Sequence, residues 1–167
     1  MIEFKPANIT EEYFKEWNCI SNDINQIYLN DKLVSKNIYR KNAISNWKDG
    51  YLTLNKLVED YYNDTITNNP KRKKYLKYVN CIIDENGIEK VELKDSFKYI
   101  NHIGGIVYSV ANSYYNIETK ELYCKTYSPS LKSKDFIFLD NNYDEDKSKR
   151  GVWKINLHTG EYEIFRK

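Results

Sequence analysis

The chain has 167 residues, of which 41% are hydrophobic and 30% charged, with a formal net charge of +2. That is enough apolar material for a buried core, so composition excludes intrinsic disorder. No apolar run reaches the roughly 18 residues of a membrane-spanning helix, and the opening MIEFKPANITEEYF lacks a secretory h-region.

The bases are 22 Lys against 4 Arg, set against 24 acids. Such balance does not suit a general phosphate binder, and few Arg means few bidentate grips on phosphate or guanine. Cys19, Cys81 and Cys124 are odd in number and form no CxxC pair, which suits reduced thiols and a cytoplasmic location. The 16 Tyr stand out. Tyrosine suits a binding surface and equally suits a half-buried sheet.

The first third reads as helical. Thr10 precedes Glu11 and Glu12 as an N-cap, and Tyr13, Trp17, Ile20, Ile24 and Ile27 recur at three and four, predicting a helix over 11–29. A second helix is expected over 35–48, ending at Gly50, and a third from Thr53 through Leu54, Leu57, Val58, Tyr61 and Tyr62. Residues 63–74 are polar and read as a linker. The period then changes to two. Hairpins are predicted for 75–83 with 88–93, for 106–117 with 122–128, and for 152–157 with 161–166. Phe136–Leu139 reads as a central strand, 94–105 as a short helix or a loop, and no repeat of constant period is evident.

Helices followed by hairpins predict an α+β class: N-terminal helices packed on one face of a mainly antiparallel sheet. The whole of 1–167 is expected as one domain, with a helical part (1–63), a polar linker (64–74) and a β-hairpin part (75–167). If Ile117 pairs with Leu122, Val107, Ser109, Ala111, Ser113 and Tyr115 share a face of mostly small residues that a helix would cover. Asn112, Tyr114, Asn116, Tyr123, Lys125 and Tyr127 then share the opposite, solvent-side face.

Chemistry-bearing motifs are sparse. Lys71, Arg72, Lys73 and Lys74, continuing to Tyr75, Lys77 and Tyr78, form the one dense basic cluster. It reads as a strip for single-stranded nucleic acid, or as a solvated linker entering an edge strand. Asp140, Asn142 and Asp144 hold positions 1, 3 and 5 of a calcium loop, but Glu145 stands where glycine belongs and Gly151 where the bidentate Glu belongs. His102 precedes Ile103-Gly104-Gly105 and is the candidate base, with Cys81, Cys124 or Ser109 as nucleophile. None of these sits in a GxSxG elbow. His158 falls in a predicted turn. No Walker loop, dinucleotide fingerprint or HExxH is present.

Tyr39-Arg40 to Tyr62, followed by IVYSVANSYYNIETKELYC (106–124), resembles the C-terminal half of choloylglycine-hydrolase and acyltransferase-type N-terminal-nucleophile enzymes. The resemblance implies a helical segment before a sheet hairpin. That family uses an N-terminal cysteine, whereas this chain opens Met1-Ile2-Glu3, so the resemblance implies no activity here.

The expectation is therefore a small non-enzymatic protein-binding module without cofactor, metal or membrane partner. It would act by occluding a macromolecular partner, as inhibitors and immunity- or anti-defence-type proteins of microbes and phages do. Asn112, Tyr114, Asn116, Tyr123, Lys125 and Tyr127 would form the contact. The alternatives are a nucleic-acid binder using Lys71, Arg72, Lys73, Lys74 and Lys77, and a hydrolase or acyltransferase built around His102.

Overall fold

The structure is a computed structural model and describes residues 1–7, 24–40, 46–63, 72–128 and 130–166. Those residues form three antiparallel sheets, and their only helical element is a 3-10 turn at Lys147–Lys149. The α+β expectation is therefore corrected to an all-β class. The chain divides into two compact units, Met1–Trp47 with Tyr51–Lys98, and Lys48–Gly50 with Tyr99–Lys167.

The first unit is one seven-stranded sheet. Its strands are β1 (Ile2–Pro6), β2 (Ile24–Leu29), β3 (Lys32–Leu33), β4 (Ile38–Arg40), β5 (Tyr51–Asn63), β6 (Arg72–Asp84) and β7 (Glu89–Glu92), in the order β1-β2-β4-β5-β6-β7 with β3 on β2. Ile24–Leu29, expected as the end of the first helix, is strand. So is Ile38–Arg40 of the second, and so is the whole third helix. Residues 35–37 and 46–48 of the second are not helical either, and 11–23, 41–45 and 64–71 of the linker lie outside the described residues. Apolar residues three and four apart satisfy a helix pattern, but a strand buried on both faces satisfies it too. Thirteen residues of β5 pair in unbroken register with thirteen of β6, and that ladder decides the matter. Leu52 and Leu54 sit opposite Ile83 and Cys81, and with Ile2, Ile27 and Tyr39 they form this unit's core.

The predicted hairpin at Asp84–Gly87 is found. Asp84 Oδ1 accepts from the N–H groups of Asn86 and Ile88, both at 2.9 Å, and Gly87 has φ +78°.

The second unit holds two four-stranded meanders. The first runs β8 (Asn101–Gly104), β9 (Val107–Val110), β10 (Ser113–Asn116), β11 (Leu122–Lys125). The second runs β12 (Leu131–Lys132), β13 (Phe136–Asn141), β14 (Gly151–Asn156), β15 (Tyr162–Phe165). They share one core: Val107, Tyr114, Tyr123 and Cys124 from the first, and Ile137, Leu139, Trp153, Ile155 and Leu157 from the second.

The two meanders are copies of one plan. Asn116 Oδ1 accepts from Glu118 N (2.8 Å) and Thr119 N (3.0 Å); forty residues on, Asn156 Oδ1 accepts from His158 N (2.8 Å) and Thr159 N (3.0 Å). Glu121 N donates to Thr119 Oγ1, and Glu161 N to Thr159 Oγ1. Lys120 (φ +65°) and Gly160 (φ +76°) hold the same left-handed position. Ile117 N donates to Ile106 O at 2.7 Å, and Leu157 N to Asp135 O at 2.8 Å. The repeat escapes a search for constant period because its middle hairpins close differently: Ala111-Asn112 in one copy, residues 142–150 in the other.

Candidate functional site

The predicted 106–117 strand is two strands. Ala111 (φ +48°) and Asn112 (φ +67°) turn the chain back on itself, so Tyr114 pairs with Ser109 and Cys124, and Asn116 with Val107. The turn reverses the parity that placed Tyr114, Asn116 and Tyr123 toward solvent. Tyr114 is 9% exposed, Asn116 4% and Tyr123 1%. Tyr123 packs edge-on against Trp153 and donates its hydroxyl to Gly160 O at 2.8 Å, while Asn116 Nδ2 donates to that hydroxyl at 2.9 Å. Three of the six expected contact residues are therefore core.

Asn112, Lys125 and Tyr127 remain at the surface, together at one end of the β10–β11 hairpin, where Thr126 N donates to Asn112 O at 3.0 Å. Lys125 Nζ lies 5.7 Å from the centre of the Tyr127 ring, which is 76% exposed. Lys125 and Tyr127 border a groove of about 440 Å³ that runs from β11 to the 140–149 segment, with Asn142, Tyr143, Asp144 and Glu145 on its far side. Tyr143 is 89% exposed. β11 is the edge strand of its sheet, and among the described residues no strand pairs its other side.

The far wall is held in place by its own hydrogen bonds. Thr126 Oγ1 donates to Asp140 O at 2.5 Å, Asn141 Nδ2 donates to Asp144 Oδ2 and Lys149 O, both at 3.2 Å, and Arg150 Nε donates to Asp144 O at 2.7 Å. Asp146 caps the 3-10 turn by accepting from Ser148, which holds its carboxyl below the usual range. Asp144, a candidate calcium ligand, instead accepts from Asn141 and from Asp146 N. Among the described residues no three His, Cys, Asp or Glu side chains are placed to hold a metal.

The remaining candidates fall elsewhere. His102 Nε2 lies 2.8 Å from Gly105 O, and burial lowers its pKa. Lys48 Nζ donates to Ile103 O at 3.0 Å, and Gly105 N donates to Asp49 Oδ2 at 2.8 Å, so this turn is tied within its own unit. Burial pushes the Cys124 thiol up to about 12 and raises that of Cys81, which leaves both protonated at neutral pH. Ser109 is buried.

Of the basic strip, Lys71 lies outside the described residues, Arg72–Lys74 open β6, and Lys77 donates to Asp60 Oδ2 and to Lys94 O, both at 2.8 Å. The Lys77 hydrogen bond, with those from Tyr61 N and Tyr75 Oη, holds the Asp60 carboxyl down at about 2. No helix among the described residues is long and apolar enough to cross a membrane.

The groove residues missed from the sequence are Asn142, Tyr143 and Glu145. Their one sequence signal is a lone tyrosine inside the polar run 140–146, which is unusual for a solvated loop. No known protein family matches the chain, and no match to a curated protein or a solved structure was found.

Proposed function

We propose that the chain is a non-enzymatic protein-binding module that holds an extended segment of a protein partner along the free edge of β11 and thereby occludes it. One observation carries this reading: β11, an edge strand whose other side pairs with no strand among the described residues, borders a groove rimmed by the exposed rings of Tyr127 and Tyr143. Addition of a strand supplies main-chain hydrogen bonds, and tyrosines beside it supply contact area at low entropic cost. The protonated thiols and the engagement of His102 with its own turn give no support to the hydrolase reading. Cytoplasmic location remains our reading, on cysteine usage.

The test is affinity capture from native lysate, scoring protein and nucleic acid together, with Tyr127→Ala and Tyr143→Ala as controls. A stoichiometric protein lost on either substitution, with the fold unchanged, supports the proposal. A captured protein indifferent to both substitutions overturns it.

The nucleic-acid reading keeps one specific observation. The β5–β6 register sets Tyr61 opposite Lys74 and Tyr62 opposite Lys73, on a two-stranded ribbon beyond the pairing of β4 and β7. Tyrosines of one strand in register with lysines of the other are residue types that suit a single strand. Binding that falls steeply with added salt, and is lost when Lys71, Arg72, Lys73 and Lys74 become Gln, supports this reading. Salt-insensitive binding contradicts it.

A further inference from the structure

The two meanders of the second unit carry the same turn, Asn-x-x-Thr-x-Glu, at 116–121 and 156–161. The turn itself accounts for the asparagine and the threonine. Each asparagine Oδ1 accepts from two N–H groups, and each threonine Oγ1 accepts from one. It does not account for the glutamate. Glu121 and Glu161 serve the turn through main-chain atoms alone, accepting from Asn116 N at 2.9 Å and Asn156 N at 2.8 Å, and any residue carries those atoms. Among the described residues neither carboxylate has a hydrogen-bond or ion-pair partner. A side chain that recurs without a part in the turn points to another use.

Both glutamates line one open hollow of about 700 Å³, walled by the two turns and by β13, β14 and β15. Small-molecule sites span roughly 300–1,000 Å³. Asn116 pairs with Val107 as Asn156 pairs with Phe136, so Tyr114 and Lys154 are counterparts. Tyr114 belongs to the core, whereas Lys154 lines the hollow. The lining is mixed in character. Glu121, Glu161 and Glu163 bring carboxylates, which only accept. Lys154 brings an ammonium 4.2 Å from the centre of the Phe136 ring, and it forms no ion pair among the described residues although Glu163 is its cross-strand neighbour. Asn156 Nδ2 donates to no described residue, whereas Asn116 Nδ2 donates to Tyr123. Tyr162 stacks on Trp153 at 4.7 Å and is 45% exposed, so it adds ring surface beside that of Phe136.

We infer that this hollow binds a sugar: a cyclic polyol without net charge, whose hydroxyls donate to Glu121 and Glu161 and accept from Lys154. The mixed lining selects this class. A cation satisfies the carboxylates but meets repulsion from Lys154, and an anion satisfies Lys154 but meets three carboxylates. A hydroxyl donates and accepts at once, so a ring bearing several of them answers both sets, and its C–H face covers an aromatic ring. The hollow shares no lining residue with the β11 groove, so the inference stands apart from strand addition there. An open site on a ligand of few atoms gives affinity in the millimolar range.

Saturation-transfer NMR of the full chain tests this with glucose, galactose, mannose, N-acetylglucosamine, cellobiose and lactose, and with spermidine as the cationic arm. The expected result is millimolar binding of at least one sugar. Glu121→Ala and Glu161→Ala each weaken it about tenfold, while Tyr127→Ala, in the groove, leaves it unchanged. In the unsubstituted chain the same sugar is expected to shift the backbone amide signals of 119–121 and 159–163. A panel in which no sugar binds overturns the inference. So does a sugar that shifts only amides elsewhere, one indifferent to both glutamates, or binding of spermidine alone, which would make the hollow a cation site.

Discussion

The hairpins at 116–121 and 156–161 share the asparagine and threonine hydrogen bonds that shape their turns, yet the strands they join have opposite fates. Tyr114 in the first points into the shared core, while its counterpart Lys154 in the second faces out. Cys124, which pairs with Tyr114, is buried, and Glu163, which pairs with Lys154, is exposed. Turn chemistry therefore specifies a hairpin and its register but not which face is buried. Position in the stack decides that, and a side chain's own character follows it. This is why a face assignment from alternation alone misplaced the tyrosines.

Substitutions at equivalent positions sharpen the contrast, and urea midpoints of the full chain read them. The largest difference belongs to the faces. Trp153→Ala removes a ring that stacks on Tyr162 and meets Tyr123, and is expected to cost about 3–5 kcal/mol. Phe138→Ala, on the outward face of the neighbouring strand, is expected to cost about 1 kcal/mol; equal losses would erase the distinction.

Next comes the contact between the copies. At Gly105 (φ +51°) an added Cβ would lie 1.7 Å from Leu157 O, so Gly105→Ala is expected to cost roughly 3 kcal/mol. Little change would show that the meanders do not meet there. Third, Asn116→Ala and Asn156→Ala each unpair two turn N–H groups, at about 1–2 kcal/mol. Asn116→Ala is expected to be the costlier, because it also strips the Tyr123 hydroxyl of a donor. The reverse order would contradict the role given to Tyr123. Smallest is the left-handed position. Lys120→Gly is expected to stabilise by about 0.5 kcal/mol, whereas Gly160→Ala destabilises, since its Cβ would lie 2.5 Å from Asn116 Nδ2.

Much of the local structure was legible. Asp84–Gly87 and Leu157–Gly160 carry their turns in short polar side chains and a left-handed glycine, and both hairpins are found. Phe136–Leu139, apolar on both sides, does lie inside its sheet. The helices were not legible as strands. Ile24 and Ile27, or Leu54, Leu57 and Val58, fit either period, and only long-range pairing with β4 and β6 separates the two.

The turn at Ala111-Asn112 lacks the glycine that would have announced it, and missing it moved Tyr114, Asn116 and Tyr123 to the wrong face. Of the candidate site, Asn112, Lys125 and Tyr127 were legible from the second hairpin. Tyr143 was not, because its place beside β11 depends on the 142–150 segment folding back through Asn141 and Arg150.

Time-resolved tyrosine nitration of the native chain, read by peptide mass, tests most directly whether the tyrosines divide between groove and core. Tyr127 and Tyr143 are expected to react at the rate of free tyrosine, while Tyr114 and Tyr123 stay protected until the chain unfolds. Nitration of Tyr123 as fast as Tyr127 would contradict the division.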